Sequence, residues 1–96
     1  MVLATLEAGP AHGYAIIELL RSRSGGVFDL PEGTVYPVLH RLERAGALTS
    51  RREVTDGRER RVYRLSRSGQ RSLAQSRDAW REFSAAVGQV LQASPA

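Results

Sequence analysis

The chain has 96 residues, 42% apolar and 25% charged, the size and balance of one ordinary globular domain. Its net charge is +4, every basic side chain is arginine, and residues 41–71 hold ten arginines against four acids, so that segment is +6 and the remainder −2. With no cysteine, a disulfide framework and a thiolate metal site are excluded, and with only His12 and His40 as imidazoles no resident metal, cofactor or enzyme active centre is expected.

Residues 1–8 form a short apolar stretch with Val2, Leu3 and Leu6 on one helical face, and Gly9-Pro10 stops it. A second helix is predicted over 11–23, with Tyr14, Ile16, Ile17 and Leu20 as its core-facing stripe. Ser24-Gly25-Gly26 is a loop, and 27–30 a short extended lead with Phe28 plugging the core. The third helix spans 31–45. Val35, Val38, Leu39, Leu42 and Ala45 fall on one side, Pro31 and Gly33 suit its first turn, and Gly46 suits its left-handed end. A hairpin follows, with strands 48–54 and 61–65 joined by 55–60, where Asp56-Gly57 supplies the turn. Ser66 caps a final helix over 67–91, whose Trp80, Phe83, Val87 and Val90 make a heptad-like seam. Residues 94–96 are expected to be a frayed tail.

Three helices, a hairpin and a helix make a mainly α winged helix-turn-helix domain (1–66) with a long C-terminal dimerisation helix and tail (67–96), one compact unit. The third helix has an apolar face for the core and an outer face of Gly33, Pro37, His40 and Arg44 flanked by Tyr36 and Arg41. A helix divided in this way suits the major groove of double-stranded DNA, which is wide enough to admit it. The concentration of arginine agrees with such a polyanionic partner, although a solvated arginine-rich surface has the same composition. Pro37 has two readings. It cannot donate to the Gly33 carbonyl, so either it reorients the first turn, or it sits within a first turn starting at Thr34 where the missing N–H costs little.

Three segments, HGYAIIELL (12–20), EGTVYPVLHRLERAGAL (32–48) and GRERRVYRLSRSG (57–69), resemble the PadR family of bacterial transcription regulators. The likeness covers nearly the whole chain in order, and the single helix after the wing is similar to the compact subfamily. Two departures are fewer residues before the first helix, and Leu30-Pro31-Glu32 where family members often carry Ser or Asn before the proline. The resemblance implies a winged-helix homodimer on an inverted repeat, usually a repressor, with the final and first helices making the dimer contact. It further implies an aromatic small-molecule effector, because Trp80 matches a tryptophan that lines a drug-binding pore in some compact members.

The expected DNA-binding residues are Thr34, Tyr36, Pro37, His40, Arg41, Arg44, Arg58, Arg60 and Arg61. The expected dimer interface is Leu3, Leu6, Leu73, Trp80, Phe83, Val87 and Val90, with Trp80 also the effector residue. Each has a plainer reading: Tyr36 packs on the second helix, His40 and Arg44 are solvated, and Trp80 is dimer core without a cavity. His12 is taken as a packing residue at a helix start. A winged helix used for protein–protein assembly and a regulator of the MarR or ArsR kind are the rival readings. No apolar run approaches the ~20 residues of a membrane span, and the N-terminus lacks a basic n-region. The expected address is therefore the cytoplasm, with no membrane partner.

Overall fold

The computed structural model describes residues 1–92, and the tail expected at 94–96 lies outside them. Seven elements follow one another: α1 (Val2–Thr5), β1 (Ala11–His12), α2 (Gly13–Arg23), α3 (Glu32–Arg44), β2 (Leu48–Thr55), β3 (Arg58–Leu65) and α4 (Arg67–Gln92). The fold is a winged helix, mainly helical, with a small antiparallel sheet and a long C-terminal helix.

The core forms where α2 and α3 turn their apolar stripes toward the sheet. Ile16, Leu20, Val35, Leu39, Leu48 and Tyr63 are buried together, with Leu6 closing one side. Each buried aliphatic side chain of this kind contributes about 1.5–3 kcal/mol. Two expected core residues lie elsewhere. Tyr14 is 61% exposed, because Ile16 and Leu20 face the core and a residue two positions before Ile16 falls on the opposite side of the helix. Phe28 is 37% exposed, and Leu30 packs against the core in its place. The first helix is also shorter than expected, a single turn. Buried Thr5 satisfies its hydroxyl by donating to the Val2 carbonyl at 2.7 Å.

The second helix begins two residues later than the periodicity suggests. Ala11 and His12 instead pair with Tyr63 and Val62 as an extra antiparallel strand, so the sheet has the order β1-β3-β2. The hairpin is longer than expected. Pairing runs from Leu48↔Leu65 to Thr55↔Arg58, leaving a two-residue turn at Asp56 and Gly57 with φ of +52° and +75°. Both values are positive, as a type I′ turn demands, and this turn matches the strand twist.

Pro37 lies six positions into α3, whose first residue is Glu32, so the reading that starts the helix at Thr34 fails. The Pro31 carbonyl accepts from Thr34 and Val35 N–H at 3.0 and 3.2 Å, which starts the helix without a side-chain cap. At the far end Gly46 has φ +83°, as expected for a left-handed stop. Ser66 caps α4 by accepting from Gly69 N–H at 3.0 Å and donates to the Gly46 carbonyl, joining the end of α3 to the start of α4. Twenty-six residues carry α4 about 39 Å, and the molecule measures 64 × 28 × 22 Å.

Candidate nucleic-acid interface

Helix α3 presents the outer face that its sequence implies. Thr34, Pro37, His40, Arg41 and Arg44 are exposed, and Arg41 and Arg44 make no ion pair among the described residues. Gly33 is open as well: a Cβ there would meet nothing within 4 Å, so packing within the chain does not require the glycine.

Tyr36 is placed differently. It is half-buried against the core, and its ring edge lies over Gly13 so closely that a Cβ on Gly13 would collide with the phenol. Tyr14 meets it edge-to-face, with centroids 6.5 Å apart and ring planes at 81°. A hydrogen bond to Glu32 and its negative charge push the Tyr14 hydroxyl above the ordinary phenol range, and burial does the same for Tyr36. Tyr36 is thus a fixed wall whose polar tip reaches the surface, and not a free arm.

The wing arginines divide into free and tethered. Arg58 pairs with Thr55 beside the turn and is exposed without an ion-pair partner among the described residues. Arg60 lies inside β3, and its Nη1 donates to His12 Nε2 at 2.6 Å. Arg61 donates to Ser50 Oγ at 3.0 Å, and Ser50 donates in turn to Glu43 on α3. Arg64 reaches Glu53 at 2.6 Å, and Arg52 reaches Glu59 at 3.4 Å. The longer hairpin explains the correction to Arg58, Arg60 and Arg61. All three project from an extended strand and not from a tip loop, and neighbouring elements lie within reach of Arg60 and Arg61 but not of Arg58. Arg64 Nη1 is buried with no partner among the described residues.

One cleft of about 410 Å³ has Tyr36 from α3, Tyr14 from α2 and Arg58, Arg60 and Arg61 from β3 on its walls, while Thr34, Pro37, His40, Arg41 and Arg44 lie outside it. His12 lines it too. Read from the sequence alone, it is a packing residue at a helix start. The available signal was its position just before Gly13, where a helix-capping side chain is needed.

The expected dimer residues also separate. Leu6 and Leu73 are buried within the single chain, on the walls of a cavity between α4, β3 and the 6–10 segment, so they are core and not interface. Leu3 is half-buried and packs against the core. Trp80 is 64% exposed, Phe83 61%, and Val87 and Val90 are exposed along the same helix. The two rings lie 5.9 Å apart. Such an apolar row on a free helix marks an interaction surface. Arg77 braces the base of α4 by a two-pronged pair with Glu7, whose carboxyl it holds below the usual range. Among the described residues no helix is long and apolar enough to cross a membrane, and no group of acids and histidines could hold a metal ion.

The family model of PadR-like transcriptional regulators matches residues 2–75. Transcriptional regulator Rv3488 of Mycobacterium tuberculosis is 43% identical over 76 residues, covering 79% of this chain and 68% of that protein. The crystal structure of a PadR family transcription regulator from Clostridium difficile superposes with a TM-score of 0.86 at 29% identity, over 94% of this chain and 93% of that one. Bacillus subtilis PadR, crystallised in complex with operator DNA, superposes with a TM-score of 0.70 at 27% identity, over 77% of this chain and 42% of that one.

Proposed function

The chain belongs to the PadR-like family of transcriptional regulators, and from that premise we propose that it binds double-stranded DNA as a symmetric homodimer and represses transcription at an inverted repeat. The observation that carries this reading is the cleft that sets the wing arginines beside α3. Gly33, Thr34, Pro37, His40, Arg41 and Arg44 face the bases and phosphates of the major groove from α3. Arg58 reaches the adjoining backbone from the wing, and Tyr36 contributes its hydroxyl from a packed position. Arg60 and Arg61 orient the wing through His12 and Ser50.

The apolar row on α4 supports the homodimer. Trp80, Phe83, Val87 and Val90 from two copies would cover one another in an isologous contact. Selection of binding sites from random duplexes tests the whole reading. The expected product is a two-fold repeat with half-sites about 34–36 Å apart, or a multiple. Recovery of asymmetric or random sequence would defeat it.

The exposure of Trp80 favours one finer reading: a planar aromatic effector that stacks at the dimer axis and weakens DNA binding. Trp80 is the sole tryptophan, so quenching of its fluorescence by aromatic ligands, with parallel loss of duplex affinity, is the matching test. Quenching without that loss would leave Trp80 as dimer core only.

A further inference from the structure

The contact between His12 and Arg60 has a chemical condition. A guanidinium only donates and stays charged, so at 2.6 Å His12 Nε2 must accept, which leaves the ring neutral with its proton on Nδ1. The Ala15 N–H also lies 3.3 Å from Nδ1, and one neutral ring cannot accept at both nitrogens. The shorter, charge-assisted bond decides the tautomer. The clamp therefore exists only while His12 is unprotonated.

The groups around this ring set what happens when it is protonated. From β3 come Arg58, Glu59, Arg60 and Arg61, from α2 Tyr14, and from α3 Tyr36, with Glu32 reached through Tyr14. Both phenols lie above their ordinary range, and Glu59 is paired with Arg52. In the free chain a second positive charge would face Arg60 and its neighbours without a counter-ion. An anion in the cleft would reverse that balance.

Resting on the DNA-binding reading above, we propose that this cleft seats one backbone phosphate of the DNA, which takes Arg60 from His12 while His12 takes up a proton from solvent. Arg60 and the imidazolium then both donate to the phosphate oxygens. Burial and Arg60 hold free His12 below its ordinary 6.5, which agrees with a ring left uncharged until the anion arrives. Linkage fixes the consequence: duplex affinity rises as pH falls from the DNA-bound midpoint of His12 to its free one, by up to about tenfold per pH unit per protomer, and levels off below that.

The test uses the full chain, in which the His12 imidazole signal is identified as the one that His12→Asn removes. Imidazole titration by NMR, with and without a selected two-fold duplex, should show the His12 midpoint moving up on DNA. A midpoint that stays or falls overturns the proposal. Duplex affinity by fluorescence anisotropy should be at least about fivefold tighter at pH 5.5 than at 7.5. His12→Asn, which does not titrate, should flatten that dependence. An equal pH dependence with and without His12 overturns the proposal while DNA binding stands. Failure to bind any duplex at any pH, by the unsubstituted chain as well, overturns both readings.

Discussion

At the wing end, charged side chains are held by one another; along the distal half of α4, apolar side chains stand exposed. Arg60, Arg61, Arg64 and Arg52 each have a partner on a neighbouring element or strand. Trp80, Phe83 and Val90 are open over most of their surface, and Val87 over 37% of it. The difference concerns what each region needs. Arginine positions can be settled inside one chain, since a carboxylate, hydroxyl or imidazole is enough to orient a guanidinium. An apolar row can be settled only by area, and this chain has no further element to lay over it among the described residues. The wing is therefore organised before any partner arrives, while α4 is organised by the partner.

Substitution at α4 breaks that contrast with the largest expected effect. Phe83 is exposed in the single chain, so Phe83→Asp leaves the monomer folded and places an unpaired charge in the proposed dimer seam. The cost is about 3 kcal/mol or more per protomer. Sedimentation should show a dimer at tens of micromolar for the parent chain and a folded monomer for the variant. A monomeric parent would remove the dimer reading.

A second substitution tests how tightly α4 is rooted, and its effect should be nearly as large on stability. A Cβ on Gly69 would collide with the Ala47 carbonyl oxygen, which is backbone and cannot swing aside. Gly69→Ala should cost about 3 kcal/mol, at the upper end of overpacking. Gly13→Ala meets only the Tyr36 ring tip, and the phenol can rotate at some expense, so the cost should be nearer 1 kcal/mol. Urea unfolding of both variants at one protein concentration checks the order. Equal costs would mean that the start of α4 is not fixed by Ala47.

These regions also differ in how legible they were in the sequence. The α3 stripe was plain because Val35 and Leu39 repeat at helical spacing and both are buried. The hairpin turn was plain because Asp-Gly is the pair that tolerates two positive φ values. Ser66 was plain as a cap. β1 was not: Ala11 and His12 have no strand pattern of their own, and only pairing with β3 makes them a strand. The tethers of Arg60 and Arg61 were hidden for the same reason. Both partners, His12 and Ser50, are distant in sequence and are brought near by sheet register. Leu6 and Leu73 looked like free apolar surface because their covering comes from each other's segments.

Within the wing, the free and tethered arginines give a smaller effect that sharpens the contrast. Arg58→Ala should remove one phosphate contact, so log K against log salt should become shallower by about one unit on any sequence. Arg61→Ala should leave the salt slope nearer the parent's and lower affinity by loosening the Ser50–Glu43 tie. Equal changes in slope for both would mean that Arg61 leaves its tether to contact DNA.

The smallest effect concerns the stability of the free chain against pH, and its sign follows from two groups. Burial first, and then the charge of Arg60, lower the His12 pKa in the folded state from 6.5. Below 6.5 the unfolded chain accordingly binds protons that the folded chain resists. The stability contributed by the neutral ring is thus fully present above 6.5 and is lost as pH falls from there through the folded value. Glu7 is also depressed, from 4.5, by its hydrogen bond to Arg77, and its contribution is lost only at more acid pH. The two windows are separate, so unfolding midpoints in urea between pH 7.5 and 5.5 sample His12 and not Glu7. The parent midpoint should fall over that interval, and that of His12→Asn should fall less, because asparagine does not titrate. Arg60→Gln should lie between them, since it removes the facing charge and leaves the burial. If the His12→Asn midpoint falls as steeply as the parent's, the neutral imidazole is not what holds Arg60 at the α2 start, and the wing is oriented by the sheet alone.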